Sequence, residues 1–347
     1  MRKVLFFILA LLSLLAGLGA FIFFTPSGQD ALFERAARVV LSPAPYVPDG
    51  LRAVVCGSAS PLGNDNNRAQ ACIAVLTPDH FFLIDVGARS PLRIAQAQLP
   101  VDRLTGVLVT HFHSDHIAGI PDVNLASWVR GRDSELAVFG PPGVEEVVTG
   151  FNTAYRLDRG YRTAHHGAEL LPPDVGKMRA RPFTPGEVVW QDSELTVTSF
   201  RVQHPPIEPA VGYRIDYKGR SVVVSGDTNP SVELFEIAEG ADLLFHDALS
   251  RTLLDPMINT AEAANVPVLP QIMRDVIDYH ADASLLPREA EKAGIRQLVF
   301  YHMVPVPANA IAAQIFMREI PDTVIMAKDL HTFDLAPNSE QVLVHEP

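Results

Sequence analysis

The apolar residues of this chain follow two different spacings. The first is unbroken: "VLFFILALLSLLAGLGAFIFF", Val4 to Phe24, holds no charge over its 21 residues and follows Arg2 and Lys3. As a helix it would extend roughly 32 Å, about one hydrocarbon thickness. It is longer than the usual apolar core of a signal peptide, and Ala16 to Ala20 is only a weak cleavage signal. The spacing predicts an uncleaved signal anchor over residues 1–24. Its basic end would lie in the cytoplasm and the rest of the chain outside, in a periplasmic or other extracytoplasmic space.

The second spacing starts near residue 50, after a helical stretch, "ALFERAARVVL", and a Pro-containing linker, "SPAPYVPDG". Residues 25–49 are therefore expected to form a stalk and linker, and residues 50–347 the functional domain. Short apolar runs read as strands and alternate with longer amphipathic ones. "FFLIDVG", "GVLVT" and "LAVFG" are separated by "PLRIAQAQL" and "IPDVNLASWV", and "PGVEEVVTGFNTAY" follows. The second half continues with "LTVTSF", "VGYRIDY", "SVVVSGD", "DLLFHDA" and "QLVFYH", with helical "LLPREAEKAG" and "NAIAAQIFMREI" among them. Such mixed runs predict layered α/β packing. Two stretches break the rhythm, from about Tyr155 to Pro185 and from Leu253 to His280. Both read as long irregular insertions, of the kind that form binding loops or lids.

Charge narrows the partners. With 28 Lys and Arg against 40 Asp and Glu, the formal charge is −12. That argues against a general nucleic-acid binder, because backbone affinity comes from clustered cations. Two cysteines, Cys56 and Cys72, end and begin apolar runs that look like neighbouring strands. A disulfide suited to an oxidising compartment and a pair of buried thiols are both compatible with that placement.

The chemistry concentrates in "LVTHFHSDHIAG", where His111, His113, Asp115 and His116 follow an apolar strand within six residues. Side chains on a loop at a strand end can converge. The two histidines at i and i+2 can grip one ion while Asp115 and His116 grip another, a nitrogen and oxygen set suited to zinc or a related divalent metal. Two ions need more ligands. His204 after "LTVTSFRVQ", Asp227 after "SVVVSG" and His302 after "QLVFY" are the candidates, each expected at a strand end.

The ordered set "LIDVG", "THFHSDHIAG", "VQH", "VSGDT" and "FYH" resembles the metallo-β-lactamase superfamily over roughly residues 50–335. The resemblance implies a four-layer αββα sandwich with two metals, most simply Zn2+ with Mn2+ or Fe as alternatives, at one edge. It would place His111, His113 and His204 on the first metal and Asp115, His116 and His302 on the second. Asp227 would bridge them and Asp85 would order the site. The bridging carboxylate sets the chain apart from the true β-lactamases of the superfamily.

Further segments resemble the ribonuclease Z-like branch. "ADLLFHDA" stands where that branch usually reads His-Glu-Ala, and "DYHADAS" precedes the last metal histidine. By this resemblance His280 would serve as proton donor or transition-state clamp, held by Asp247, whose side chain is one methylene shorter than the usual Glu. His165, His166 and His246 are placed among the substrate contacts. At most one of His165 and His166 would reach the metals if that stretch is extended. "VVCGSASPLG", "YRLDRGYRTAHHG" and "YHMVP" resemble most an exported arylsulfatase-like subgroup, and no Gly- and Lys-rich RNA-holding arm is evident. The expectation is a membrane-anchored metallo-hydrolase of small sulfate or phosphate esters, with Asp115 orienting a metal-activated water. Carboxylic ester or lactone hydrolysis and a ribonuclease Z-like phosphodiesterase are the alternatives, and a non-catalytic metal-binding protein is the least favoured. A homodimer is compatible with the sequence.

Overall fold

The computed structural model describes residues 2–40, 49–62 and 68–347. The chain divides into two compact units, residues 1–45 and 46–347. In the first, α1 (Arg2–Phe24) is the one helix among the described residues long and apolar enough to cross a membrane, and α2 (Pro26–Val40) follows it. Most of the predicted linker, residues 42–48, lies outside the described residues.

The second unit is built from strands and helices in alternation. Its first half runs β1 (Leu51–Gly57), β2 (Cys72–Leu76), β3 (Phe81–Ile84), α3 (Ser90–Gln96), β4 (Gly106–Leu108), α4 (Ser114–Ile117), α5 (Ile120–Val129), β5 (Leu136–Gly140), α6 (Val144–Ala154), α7 (Arg156–His166) and β6 (Met178–Pro182). The second half runs β7 (Val188–Gln191), β8 (Leu195–His204), β9 (Ile207–Tyr217), β10 (Arg220–Val224), α8 (Val232–Ile237), β11 (Leu243–Leu249), α9 (Arg251–Ala263), α10 (Leu269–Asp275), α11 (Leu286–Lys292), β12 (Gln297–Val304) and α12 (Ala310–Phe316). It closes with β13 (Ile325–Met326), β14 (Thr332–Leu335) and β15 (Leu343–His345). The first sheet has the order β15-β14-β1-β2-β3-β4-β5-β6 and the second β13-β12-β11-β10-β9-β8-β7.

The period-2 alternation of the strands explains the layering. Leu51, Ala53 and Val55 of β1 join Val197, Ile215, Val222 and Phe245 in the core between the sheets, whereas Val54 and Cys56 pack outward with Ile94, Ile120 and Val148 of the helices. The outer face of the second sheet is covered in the same way by α8, α11 and α12, through Leu234, Leu286 and Phe316. Each large side chain so buried contributes about 1.5–3 kcal/mol. The result is the αββα sandwich.

Of the two stretches expected to be irregular, the second is largely helical and the first is helical over its opening third, before a loop and β6. Residues 156–166 form α7, where Arg159 is the one buried residue and Asp158 pairs with Arg162 at 2.9 Å one turn on. α7 is polar overall and its large apolar residues, Leu157 and Tyr161, are exposed, so it offers no buried stripe of the kind that marks a core helix. Residues 251–275 form α9 and α10. Their prolines read as breakers, yet Pro270 stands in the first turn of α10, where its missing N–H costs nothing.

Cys56 and Cys72 form a disulfide across β1 and β2, with a sequence separation of 16 residues. Closing a loop of that size restricts the unfolded chain by about 3 kcal/mol. Replacing both cysteines by alanine is expected to lower unfolding stability by about 2–4 kcal/mol, read as a reduced urea midpoint, with a slope that rises if anything because the unfolded chain is released from its constraint. An unchanged midpoint would show that the bridge contributes nothing.

Candidate metal centre

The tips of both inner sheets deliver side chains to one place. His111 and His113 follow β4, His113 stands in extended backbone just before α4, and Asp115 and His116 lie in that short helix. Gly87 must be glycine for this approach: a Cβ there would stand 2.2 Å from the Asp115 carbonyl oxygen. From the second sheet come His204, the last residue of β8, and Asp227, which follows Gly226 at φ 65 just beyond β10.

His302 arrives differently from expectation. It lies inside β12 rather than after a strand end, at φ 44. In the pairing with β11, Asp247 opposes Tyr301 and Ala248 opposes Met303, so His302 is an extra residue in the ladder. A bulge of this kind re-aims a side chain. Tyr301 packs into the core between the sheets and Met303 into the outer one, and the intervening imidazole is turned onto Asp115 and Asp227.

Two groups result: His111, His113, His204 and Asp227, and Asp115, His116, Asp227 and His302. Within each group the ligand atoms all lie within 4.8 Å of one another, and Asp227 belongs to both. His116 Nε2 is 3.2 Å from Asp227 Oδ2, and His302 Nδ1 is 3.3 Å from Oδ1. Neighbours set the ring orientations. His116 Nδ1 faces Asp85 Oδ2 at 2.7 Å, and Asp85 also accepts from the Thr110 N–H and hydroxyl at 2.8 Å each. His204 Nδ1 donates to the Tyr279 carbonyl at 3.0 Å. These bonds leave Nε2 of both rings for a metal, the arrangement that fixes histidine ligands in metal sites.

The electrostatics divide the cluster. Burial, with positive neighbours added, holds the pKa of His111 well below the ordinary histidine value, and burial also lowers His113 and His204. Burial opposes charge on His116 too, but the carboxylates of Asp227, Asp115 and Asp85 outweigh it and raise its pKa well above that value. Against their own burial, Asp227 and Asp115 are held well below the usual carboxylate range by His116 and His302. Neutral imidazoles beside carboxylates that call for positive charge are the donor set a divalent cation takes. His116 Nε2, Asp227 Oδ1 and His302 Nδ1 are buried with no aligned hydrogen-bond partner, although oxygens or nitrogens of the cluster lie near them. Buried polar atoms are seldom left so, and metal coordination would satisfy all three.

Beside the cluster, His280 Nδ1 meets Asp247 Oδ2 at 2.8 Å, so the shorter carboxylate does reach its histidine. Asp247 is ionised below the usual range: burial opposes this, but His246 and His280 outweigh it. A cavity of about 260 Å³ opens over these groups. His113, Asp115, Asp227, His280 and His302 line one side and Leu62, Val276 and Val304 another; no Lys or Arg lines it among the described residues. Tyr279, which sequence reasoning missed, lines it too, with its ring 4.9 Å from those of His204 and His280. Its place immediately before His280 was the available signal.

Three expected substrate contacts do not fall here. His246 is fully buried and stacks on Phe235 of α8 at 6.0 Å, while Asp247, the next residue of β11, is the one that reaches His280. The His246 Nδ1 is 2.8 Å from the Asp247 carbonyl oxygen and 3.0 Å from the Asp247 carboxylate Oδ1. His165 and His166 are not on an extended strand. They end α7, both exposed, with ring centroids 4.7 Å apart, and neither lines the cavity.

An αββα sandwich whose inner sheets bring histidines and carboxylates to a shared edge has the layout of a metal-dependent hydrolase. The family model described as the β-lactamase superfamily domain matches residues 80–303, and the chain belongs to that superfamily, with the metallo-β-lactamase fold. It is 33% identical over 297 residues to Ribonuclease Z of Mycobacterium sp. (strain KMS), covering 83% of this chain and 97% of that protein. Among solved structures, it is similar to the metallo-β-lactamase fold protein YhfI from Bacillus subtilis, with a TM-score of 0.59 and 19% identity over 82% of this chain and 100% of that one. It is also similar to the short form of human tRNase Z, with a TM-score of 0.55 and 18% identity over 81% and 98% of the two chains.

If Asp227 joins two metals, its charge matters more than its shape. Zinc at a hundred times its dissociation constant is expected to add about 2.7 kcal/mol per occupied site to unfolding stability of the native chain. The same zinc concentration should add little to Asp227→Asn, compared by urea unfolding with and without zinc. Equal stabilisation of both chains would contradict the assignment.

Proposed function

We propose that this protein is a two-metal phosphodiesterase acting on small diesters, held at a membrane by α1 with its catalytic unit on the extracytoplasmic side. The carrying observation is the juxtaposition of two four-ligand groups sharing Asp227 with a buried His280–Asp247 pair on one cavity. His111, His113, His204 and Asp227 would hold one cation, and Asp115, His116, His302 and Asp227 the other. Bound there, two zinc ions would lower the pKa of a water between them and polarise the ester. Asp115 Oδ2, 3.0 Å from His302 Nε2, is placed to orient that water. Asp247 fixes His280 by Nδ1, which leaves Nε2 to hand a proton to the leaving oxygen.

The bond class follows the relatives named Ribonuclease Z. The small-substrate reading is supported by the net charge of −12 and by a cavity wall of Leu62, Val276 and Val304 without Lys or Arg. A monoanionic diester suits such a site better than a polyanion. Sulfate monoesters carry the same single charge, but they lack the support of the relatives. The Cys56–Cys72 bridge supports an oxidising compartment. A second reading, cleavage of RNA, is favoured by the relatives' name alone.

A panel of bis-aryl and aryl-alkyl phosphodiesters, aryl sulfates, lactones and a structured RNA separates these readings. Diester hydrolysis supports the proposal; cleavage of RNA, sulfates or lactones without it would overturn it. In His280→Ala, release of an alkoxide is expected to slow by about a hundred- to ten-thousandfold and release of a nitrophenolate by less than about tenfold. Equal losses for both leaving groups would remove His280 from the donor role.

A further inference from the structure

The segment that walls the cavity also carries an outward apolar face that the hydrolytic site does not use. The inner side of α10 is buried: Pro270 and Met273, with Val276 one turn on, pack against Leu254, Ile258 and Val304, and Val276 and Tyr279 then line the cavity. Its outer side and the turn before it hold Val266, Val268, Leu269 and Ile272 in solvent, 39, 71, 40 and 45% exposed. Val268 sits at φ 67, a region that β-branched residues rarely adopt. A large apolar residue held exposed in strained backbone points to a use.

From Ala263 to Met273 the chain has eleven residues and no charge. The residues on either side, Glu262 and Arg274, form an ion pair with each other. The tip therefore presents an uncharged, largely apolar surface, bordered at its base by that pair and by exposed Asp275, which accepts from the Gln271 amide at 2.7 Å. That excludes a nucleic-acid contact, which would need cations, and suits the boundary between lipid headgroups and acyl chains.

The tether supplies the occupant. If α1 spans a bilayer, α2 extends about 22 Å at 1.5 Å per residue. The ten residues between Val40 and Leu51 reach at most about 36 Å. The catalytic unit is thereby kept within about 60 Å of the membrane, where a weak apolar contact is promoted by high effective concentration.

We infer that the α9–α10 tip docks in the bilayer surface and brings the cavity to esters partitioned in the membrane, so that the substrate class is a diester carrying an apolar tail. The substrate half rests on the phosphodiesterase reading; the docking half does not.

The test uses the full, zinc-loaded chain reconstituted in phosphatidylcholine vesicles. The native cysteines are joined, so Val268→Cys can carry an environment-sensitive fluorophore, with Val188→Cys on β7 as the exposed control. Quenching by brominated lipid is expected at position 268 and not at 188. Equal or absent quenching overturns the docking, and a protein partner as the true occupant would give that result in protein-free vesicles. In the triple variant Val268→Asp, Leu269→Asp, Ile272→Asp, hydrolysis of a vesicle-borne long-chain diester should fall about tenfold or more while a water-soluble diester is unaffected. Equal loss on both substrates overturns the substrate inference. Quenching without hydrolysis of either diester in the parent chain would remove the phosphodiesterase reading and leave the docking standing.

Discussion

A buried carboxylate has to be matched by positive charge, and Asp227 imposes that requirement where the two sheets meet. It is 2% exposed, and its oxygens are met by His116 at 3.2 Å and His302 at 3.3 Å, with His111 at 3.9 Å. An unpaired ion at such depth would cost several kcal/mol. Three separate pieces of chain converge on it, and each bears a local deformation that makes the approach work: the glycine turn before Asp227, the contact at Gly87 beneath Asp115, and the bulge at His302. The same carboxylate belongs to both ligand groups, so the geometry of either depends on the other.

Around this centre the second sheet serves two further purposes. Its outer face is sealed by α8, α11 and α12, which fixes β11 and so the pair of Asp247 with His280. His246, the neighbouring residue of the same strand, supports Asp247 through both its carbonyl and its carboxylate and does not line the cavity. Beyond β11, α9 and α10 form a satellite core through Leu254, Met273 and Val276 that walls the cavity from one side. Chemistry and access thus come from adjoining segments with different packing, one dry and polar, the other apolar and partly exposed.

Much of the site was legible because it is local. "HFHSDH" places four candidate ligands within six residues, and apolar runs before His204 and Asp227 marked the strands that carry them. Local pattern does not contain the bulge at His302, because register between two parallel strands is a tertiary property. The alternation along "LLFHDA" did suggest that His246 and Asp247 would not both reach the cavity, and the family resemblance obscured it. Residues 156–166 look like a loop by composition, since they are mostly polar and their large apolar residues, Leu157 and Tyr161, stay exposed. Two features expected only as options, the Cys56–Cys72 bridge and the reach of Asp247, depend on distances of a few ångströms that composition cannot express.

The central claim is that two cations share Asp227. X-ray absorption at the zinc edge, on the full chain loaded with two equivalents, measures this most directly. The account predicts nitrogen and oxygen ligands at about 2.0–2.2 Å, with no sulfur, and a zinc–zinc vector at about 3.5–4 Å that disappears in Asp227→Asn. A spectrum of isolated zinc in the native chain, with no metal–metal vector at full loading, would contradict it.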